Sequence, residues 1–251
     1  MKKLENKVAI ITGASGGLGK GTAIAYAKAG AHVVICARRL EKLQEVAQAC
    51  EKHGVKALPI KCDVMLRKDL DNLVTQTIQA FGKIDILVNN AISTKQGVSI
   101  MDHTEEIWNN TVVSGFEAVW HLMRLCYPHM KETGGRIINI SSGAGLIGAP
   151  GFGVYAGVKA GVHGITMVAA REWASDKITC NSMIPIFYSD LSNKLFAGEF
   201  GEKEMINMIP LGYIGDVEKD IAPVMVFMAS DDSRYITGQM IKADGGADIH
   251  F

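Results

Sequence analysis

Short β-branched runs alternate along the chain with longer segments of helical periodicity. Lys7–Thr12 is followed by Leu18–Ala29, His32–Ala37 by Leu40–His53, and Lys56–Cys62 by Arg67–Phe81, with Ile84–Asn89 opening the next unit. This is the signature of repeated βα units, which demand parallel strands because each helix returns the chain to the same edge. The pattern continues with a helix over Thr104–Lys131, a strand over Gly135–Ser141, a helix over Tyr155–Ser175 and a strand over Ile178–Ile184. A helix over Val217–Ala229 and a strand over Gln239–Ala243 close it. Right-handed crossovers then predict an α/β fold: a doubly wound parallel sheet of about seven strands with helices on both faces. Its ligand crevice lies at the carboxyl ends of the strands. No internal repeat, low-complexity tract or linker divides residues 1–251, which read as a single domain. The segment Ile186–Ile214 breaks the rhythm, being long and rich in Phe, Leu, Met and Ile. It reads as a lid over an apolar substrate, with a peripheral helix pair as the plainer alternative.

Composition narrows the partners. Apolar side chains make up 48% of the 251 residues, enough for one sizeable core. Twenty-six basic residues balance twenty-six acidic ones, and no basic run is interleaved with aromatics, so nucleic acid is not an expected partner. No apolar run approaches the roughly 20 residues needed to span a bilayer, and Val8–Ile11 is too short for a signal-peptide core. Cys36, Cys50, Cys62, Cys126 and Cys180 lie far apart with no C-x-x-C pairing and read as small buried hydrophobes. A reducing cytoplasm is the expected location. The seven histidines show no ligand spacing, so no metal is expected.

Directly after the first strand stands Thr12-Gly13-Ala14-Ser15-Gly16-Gly17-Leu18-Gly19, opening a helix. Gly13, Gly17 and Gly19 let the backbone turn tightly and approach a pyrophosphate, with Ser15 and Leu18 as further contacts. Unpaired N–H groups and the positive dipole end of the helix favour that anion. The position of the loop, strand before and helix after, separates it from an ordinary tight turn. At the end of the second strand, beside a dinucleotide's adenosine ribose, the chain reads Cys36-Ala37-Arg38-Arg39. An acidic side chain there would accept from a ribose 2′-OH and select NAD(H). A guanidinium suits a 2′-phosphate, so NADP(H) is the preferred cofactor and NAD(H) the alternative.

Taken in order, these features resemble the short-chain dehydrogenase/reductase family across essentially the whole chain. The loop has its T-G-x-x-x-G-x-G spacing, Asp63-Val64 looks like its adenine-contacting pair, and Asn89-Asn90-Ala91 resembles its N-N-A element. Ser142, Tyr155 and Lys159 match its serine and Y-x-x-x-K pair. Tyr235-Ile236-Thr237-Gly238-Gln239 with Asp244-Gly245-Gly246 is similar to its C-terminal signature. The resemblance implies a Rossmann-like fold and an NAD(P)-dependent alcohol dehydrogenase or ketoreductase. Asp63, Val64, Asn89, Ala91, Tyr155, Lys159, Pro185 and Ile186 would then join the loop in contacting the cofactor. It also implies a homotetramer built on the helices around Thr104–Lys131 and Tyr155–Ser175 and on the last strand.

The residues themselves support the same chemistry. Tyr155 and Lys159 lie four apart and project from one helix face, and an ammonium beside a phenol favours the phenolate. Such a phenol exchanges a proton with a substrate oxygen. Ser142 donates a hydrogen bond to that oxygen, and the nicotinamide exchanges the hydride. By resemblance, Lys159 also holds the nicotinamide ribose.

Three positions depart from the family pattern. Gly115 stands where an asparagine usually orders a water linking the lysine to solvent, and Ile92 and Ile186 replace glycines near the cofactor. Thr111, one helical turn before Gly115, is the expected substitute holder of that water. Ile92, Ile186, Phe187, Tyr188, Leu191, Leu195, Phe196 and Phe200 predict an apolar substrate pocket with few charges for a carboxylate or phosphate. A cyclic or steroid-like ketone fits this pocket. A 3-oxoacyl thioester stays open as a second reading, and a weakened nucleotide-binding or regulatory module as a third.

Overall fold

Strand β1 (Val8–Thr12) is buried at all five positions, the pattern of a strand covered on both faces rather than one. The computed structural model, which describes residues 2–188 and 201–248, puts it inside a sheet. The other strands are β2 (His32–Ala37), β3 (Ala57–Lys61), β4 (Ile86–Asn89), β5 (Gly135–Ile140), β6 (Ile178–Pro185) and β7 (Met240–Ala243). All pair in parallel in the order β3-β2-β1-β4-β5-β6-β7. The chain winds outward from β1 to β3, then crosses back to β4 on the other side of β1. A crevice opens at that reversal, at the carboxyl ends of β1 and β4.

Helices α1 (Gly17–Lys28), α2 (Leu40–Glu51) and α9 (Ala222–Ala229) cover one face, packing Leu18, Tyr26, Leu43 and Met225 against Ile11, Ile35 and Val88. The other face carries α3 (Arg67–Phe81), α5 (Ala118–Met130) and α7 (Gly153–Glu172). There Leu70, Leu73, Leu122 and Val158 meet Ile10, Val34 and Ile137. Each such leucine or isoleucine contributes roughly 1.5–3 kcal/mol by leaving water. Helix α4 (Glu105–Val112) begins at Thr104, whose hydroxyl accepts from Ile107 N at 3.2 Å. Helix α6 (Ala144–Ile147) was not read from the sequence, and α8 (Glu202–Asn207) falls in the segment whose plainer alternative was a peripheral helix pair.

The helix expected over Thr104–Lys131 is interrupted. Between α4 and α5, Val113–Glu117 forms a π turn, and Ala118 N–H reaches back five residues to Val113 O. A second π turn, Val217–Ile221, precedes α9 and is capped by Asp216, which accepts from Glu218 N and Lys219 N. Such turns insert one extra residue into a helix and rotate the next turn around the axis. An apolar period of 3.6 does not reveal them.

Three polar side chains sit side by side in the middle of the sheet. Asn89, Asn139 and Ser182 are register partners on β4, β5 and β6. Asn89 Nδ2 donates to Asn139 Oδ1 at 2.8 Å, and Asn139 Nδ2 donates to Thr166 Oγ1 of α7 at 2.9 Å. Ser182 Oγ lies 3.4 Å from Thr166 Oγ1 and 3.0 Å from His163 Nδ1.

The expected lid falls partly outside the described residues, and with it Leu191, Leu195, Phe196 and Phe200. Its flanks are fastened to the core. Phe187 bridges to Gly215, Leu211 N donates to Gly245 O at 3.1 Å, and Ile209 and Ile214 are buried. All five cysteines are buried thiols. No helix among the described residues is long and apolar enough to cross a membrane.

Candidate active site

The crevice at the β1/β4 reversal has a volume of about 410 Å³. Gly13, Ser15, Arg38, Arg39, Asp63, Val64, Ala91 and Ile92, all expected there, line it. Its walls are stitched together. Thr12 Oγ1 accepts from Asn90 N at 2.9 Å and Ala91 N at 3.0 Å, and Asn90 Nδ2 donates to Thr12 O at 2.8 Å. Gly13 adopts φ +67°, and a Cβ there would stand 2.8 Å from Asn90 Nδ2, so only glycine fits. At Gly16 and Gly17 a Cβ would meet nothing within 4 Å, which leaves the start of α1 open. An open backbone at a helix N-terminus fits the pyrophosphate of a dinucleotide. Gly19 packs against Gly13 O instead, and Leu18 turns its side chain into the core. At the adenosine end, Arg39 Nη2 donates to Ser15 Oγ at 3.4 Å.

Asn89 is not part of the crevice. Its side chain is buried in the polar row across the sheet, and its neighbour Asn90 lines the cavity in its place. Strand alternation decides this, since consecutive side chains face opposite sides. Pro185 ends β6 and Ile186 follows it, both outside the crevice lining, with Ile186 N donating to Ala243 O at 3.0 Å. Phe187, expected to face substrate, packs against the core face of α1, α2 and α9. Tyr188 is exposed, and its hydroxyl donates to Glu202.

Ser142 stands two residues beyond the end of β5, and its Oγ accepts from Ala144 N at 3.3 Å. Tyr155 and Lys159 lie one turn apart on α7, and Ser141 Oγ fastens that helix by donating to Lys159 O at 2.9 Å. Lys159 Nζ stands 5.7 Å from the centre of the Tyr155 ring and donates to Ile140 O at 2.5 Å. Burial lowers the Lys159 ammonium to about 8. The expected acidification of Tyr155 by this ammonium is not found: burial raises the phenol above its ordinary value, and a hydrogen bond with Ser142 works the opposite way. Desolvation is the largest influence on the phenol.

Thr111, the expected holder of a water beside the lysine, does not line the crevice. It is fully buried, and its hydroxyl lies 2.7 Å from Ile107 O and 3.0 Å from Thr94 Oγ1, turned toward its own helix and the loop after β4. Ser114 does line the crevice, and its hydroxyl accepts from Ser93 N, another lining residue, at 2.8 Å. Nothing in the spacing singled out Ser93 or Ser114. Asp248 approaches Gly143, next to Ser142, and pairs with Lys242 at 3.2 Å. This pair lies far from Ser142 in sequence and joins it only through the order of the strands.

The family model described as Enoyl-(Acyl carrier protein) reductase matches residues 13–248. The chain is 38% identical over 251 residues to the 12alpha-hydroxysteroid dehydrogenase of Clostridium sp., covering 96% of each protein. It is 36% identical to 3-oxoacyl-[acyl-carrier-protein] reductase FabG of Thermotoga maritima, covering 97% of this chain and 98% of that one. Its fold matches the crystal structure of a short-chain type dehydrogenase/reductase from Mycobacterium marinum with a TM-score of 0.92 at 33% identity, over 99% and 98% of the two chains. The doubly wound sheet and glycine cradle define a dinucleotide-dependent oxidoreductase, and the chain belongs to the short-chain dehydrogenase/reductase family. Its reaction is an NAD(P)(H)-dependent dehydrogenation or reduction.

Proposed function

We propose that this enzyme uses NADP(H) to interconvert a secondary alcohol and a ketone on an apolar, ring-shaped substrate, with Tyr155 exchanging the proton. The observation that carries this reading is the turn of α7 bearing Tyr155 and Lys159, with Lys159 Nζ 5.7 Å from the centre of the Tyr155 ring. Because burial raises its pKa, Tyr155 holds its proton at neutral pH, the form that donates to a carbonyl oxygen during reduction. Ser142 donates a hydrogen bond to the same oxygen and fixes its position. Lys159 carries the charge beside the phenol and holds the nicotinamide ribose. Bound in the crevice, the nicotinamide supplies or accepts the hydride.

Two features support NADP(H) over NAD(H). Arg38 and Arg39 line the adenosine end of the crevice with no acidic side chain at the end of β2, and Arg39 already leans on Ser15 of the phosphate loop. A 2′-phosphate there would accept charge-assisted hydrogen bonds from the guanidinium.

The steroid-like substrate is favoured by the 38% identity to a hydroxysteroid dehydrogenase and by Ile92 on the crevice wall. The 36% identity to 3-oxoacyl reductases favours a thioester as the second reading. A module without turnover is disfavoured, because Ser142, Tyr155 and Lys159 are kept together. A homotetramer is supported by the exposure of Trp108, Trp120, Met167 and Val168 on α4, α5 and α7, and sedimentation velocity reads it directly. A cytoplasmic location is supported by the five buried free thiols.

The deciding experiment monitors NADPH loss with ring ketones, a 12-oxosteroid among them, beside a 3-oxoacyl thioester. Faster turnover of the ring ketone is the expected result. Tight NADPH binding with no turnover on either class would overturn the proposal.

A further inference from the structure

Gly115 and Ile92, two of the three departures from the family pattern, touch each other. Gly115 is buried in the π turn between α4 and α5. A Cβ there would stand 2.7 Å from Ile92 Cδ1, 3.1 Å from Ile92 Cγ1 and 2.8 Å from Val158 Cγ1. The isoleucine therefore fills the space that any side chain at position 115 would need. Val158 is 6% exposed and immediately precedes Lys159 on α7, so the same notch joins the crevice wall to the helix carrying Tyr155 and Lys159.

Ile92 cannot easily swing out of this notch, because its loop is pinned on both sides. Asn90 N and Ala91 N donate to Thr12 Oγ1 before it. After it, Ser93 N donates to Ser114 Oγ at 2.8 Å, on the residue next to Gly115. Well-packed interiors transmit such contacts rather than absorb them.

We infer that Ile92 and Gly115 form one interlocked knob and notch through which the crevice wall positions the Tyr155–Lys159 turn of α7. Ile92 is thus a positioning residue, and Gly115 is small because Ile92 is large. The inference rests on the proton role proposed for Tyr155 as far as turnover is concerned, but its packing half does not.

The full-length chain is compared with Gly115→Asn, Ile92→Gly and the double variant, which carries the residues the family pattern leads one to expect at both sites. Melting temperature, NADPH affinity by fluorescence and steady-state turnover are read for each. Gly115→Asn alone is expected to melt about 4–8 °C lower, as overpacking of a closed site does in a chain of this size. Ile92→Gly alone should lower kcat at least tenfold while NADPH affinity stays within about threefold, the split expected of a group that positions rather than binds. The double variant should melt above both single variants and turn over faster than Gly115→Asn, the non-additivity of residues in contact. A double variant that melts no higher than the more stable single one overturns the interlock. An unchanged kcat in Ile92→Gly overturns the positioning role. The melting comparison needs no substrate, so it judges the interlock even if Tyr155 proves to have another role.

Discussion

The ammonium of Lys159 lies 5.7 Å from the centre of the Tyr155 ring and gives its hydrogen bond to Ile140 O, on the strand that leads into Ser142. Burial pushes both partners toward their neutral forms, the phenol upward and the ammonium down to about 8.

Replacing Lys159 with methionine should therefore stabilise the protein while abolishing turnover. The folded-state value of about 8 lies below the ordinary 10.5, so the unfolded chain binds the extra proton between these limits. The deficit is complete below about pH 8 and disappears as pH rises toward 10.5, and the gap corresponds to roughly 3 kcal/mol. Lys159→Met is expected to melt roughly 5 °C higher near pH 7, less than the full gap because the bond to Ile140 is lost. The advantage should shrink as the medium becomes alkaline, which melting curves across pH will read.

Tyr155→Phe removes the proposed proton donor and little else. Turnover of the true substrate should fall by about 10²–10⁴, the range usual for losing a positioned acid or base, with NADPH affinity nearly unchanged. Full-speed reduction by this variant would mean that the proton comes from elsewhere.

Arg39→Ala tests the choice of cofactor. Loss of a charge-assisted bond to a 2′-phosphate should raise KM for NADPH about 10- to 100-fold. KM for NADH should stay within about twofold, since that ribose offers no phosphate to lose. Equal effects on both cofactors would place Arg39 outside the discrimination.

The sheet and its helices were legible because their signals are local and repeated. Each apolar run from Lys7–Thr12 to Gln239–Ala243 carries its own strand signal, and the glycine loop sits at a fixed βα junction. What was not legible depended on how distant segments meet. Asn89 looked like a cofactor contact in a linear motif, yet the pleat turned it into the core and gave the crevice to Asn90. The acidification of Tyr155 followed from spacing alone, which cannot count desolvation. The fit of Ile92 to Gly115 crosses from one loop to a π turn. Its only linear trace was that one departure enlarged a side chain while the other removed one.

Asn139→Leu addresses the polar row inside the sheet. Asn89 Oδ1 already has no partner among the described residues, and this change would strip Nδ2 of its acceptor as well. Thr166 would lose a donor at the same time. Stranded buried polar groups cost about 1–3 kcal/mol each, so a melting temperature lower by roughly 4–8 °C is expected in thermal scans.

That row also solves an alignment problem that greasy strands cannot solve alone. Sliding β5 by two residues along β4 or β6 would keep oily side chains on the same side, so hydrophobicity barely distinguishes the shifted pairing from the native one. The slide would, however, bring Asn139 opposite aliphatic neighbours and abandon its amide far from water. Asn89, Asn139 and Ser182 thus act as index marks that tell three neighbouring strands where to stop, and Ser142 stands two residues beyond the tip of β5.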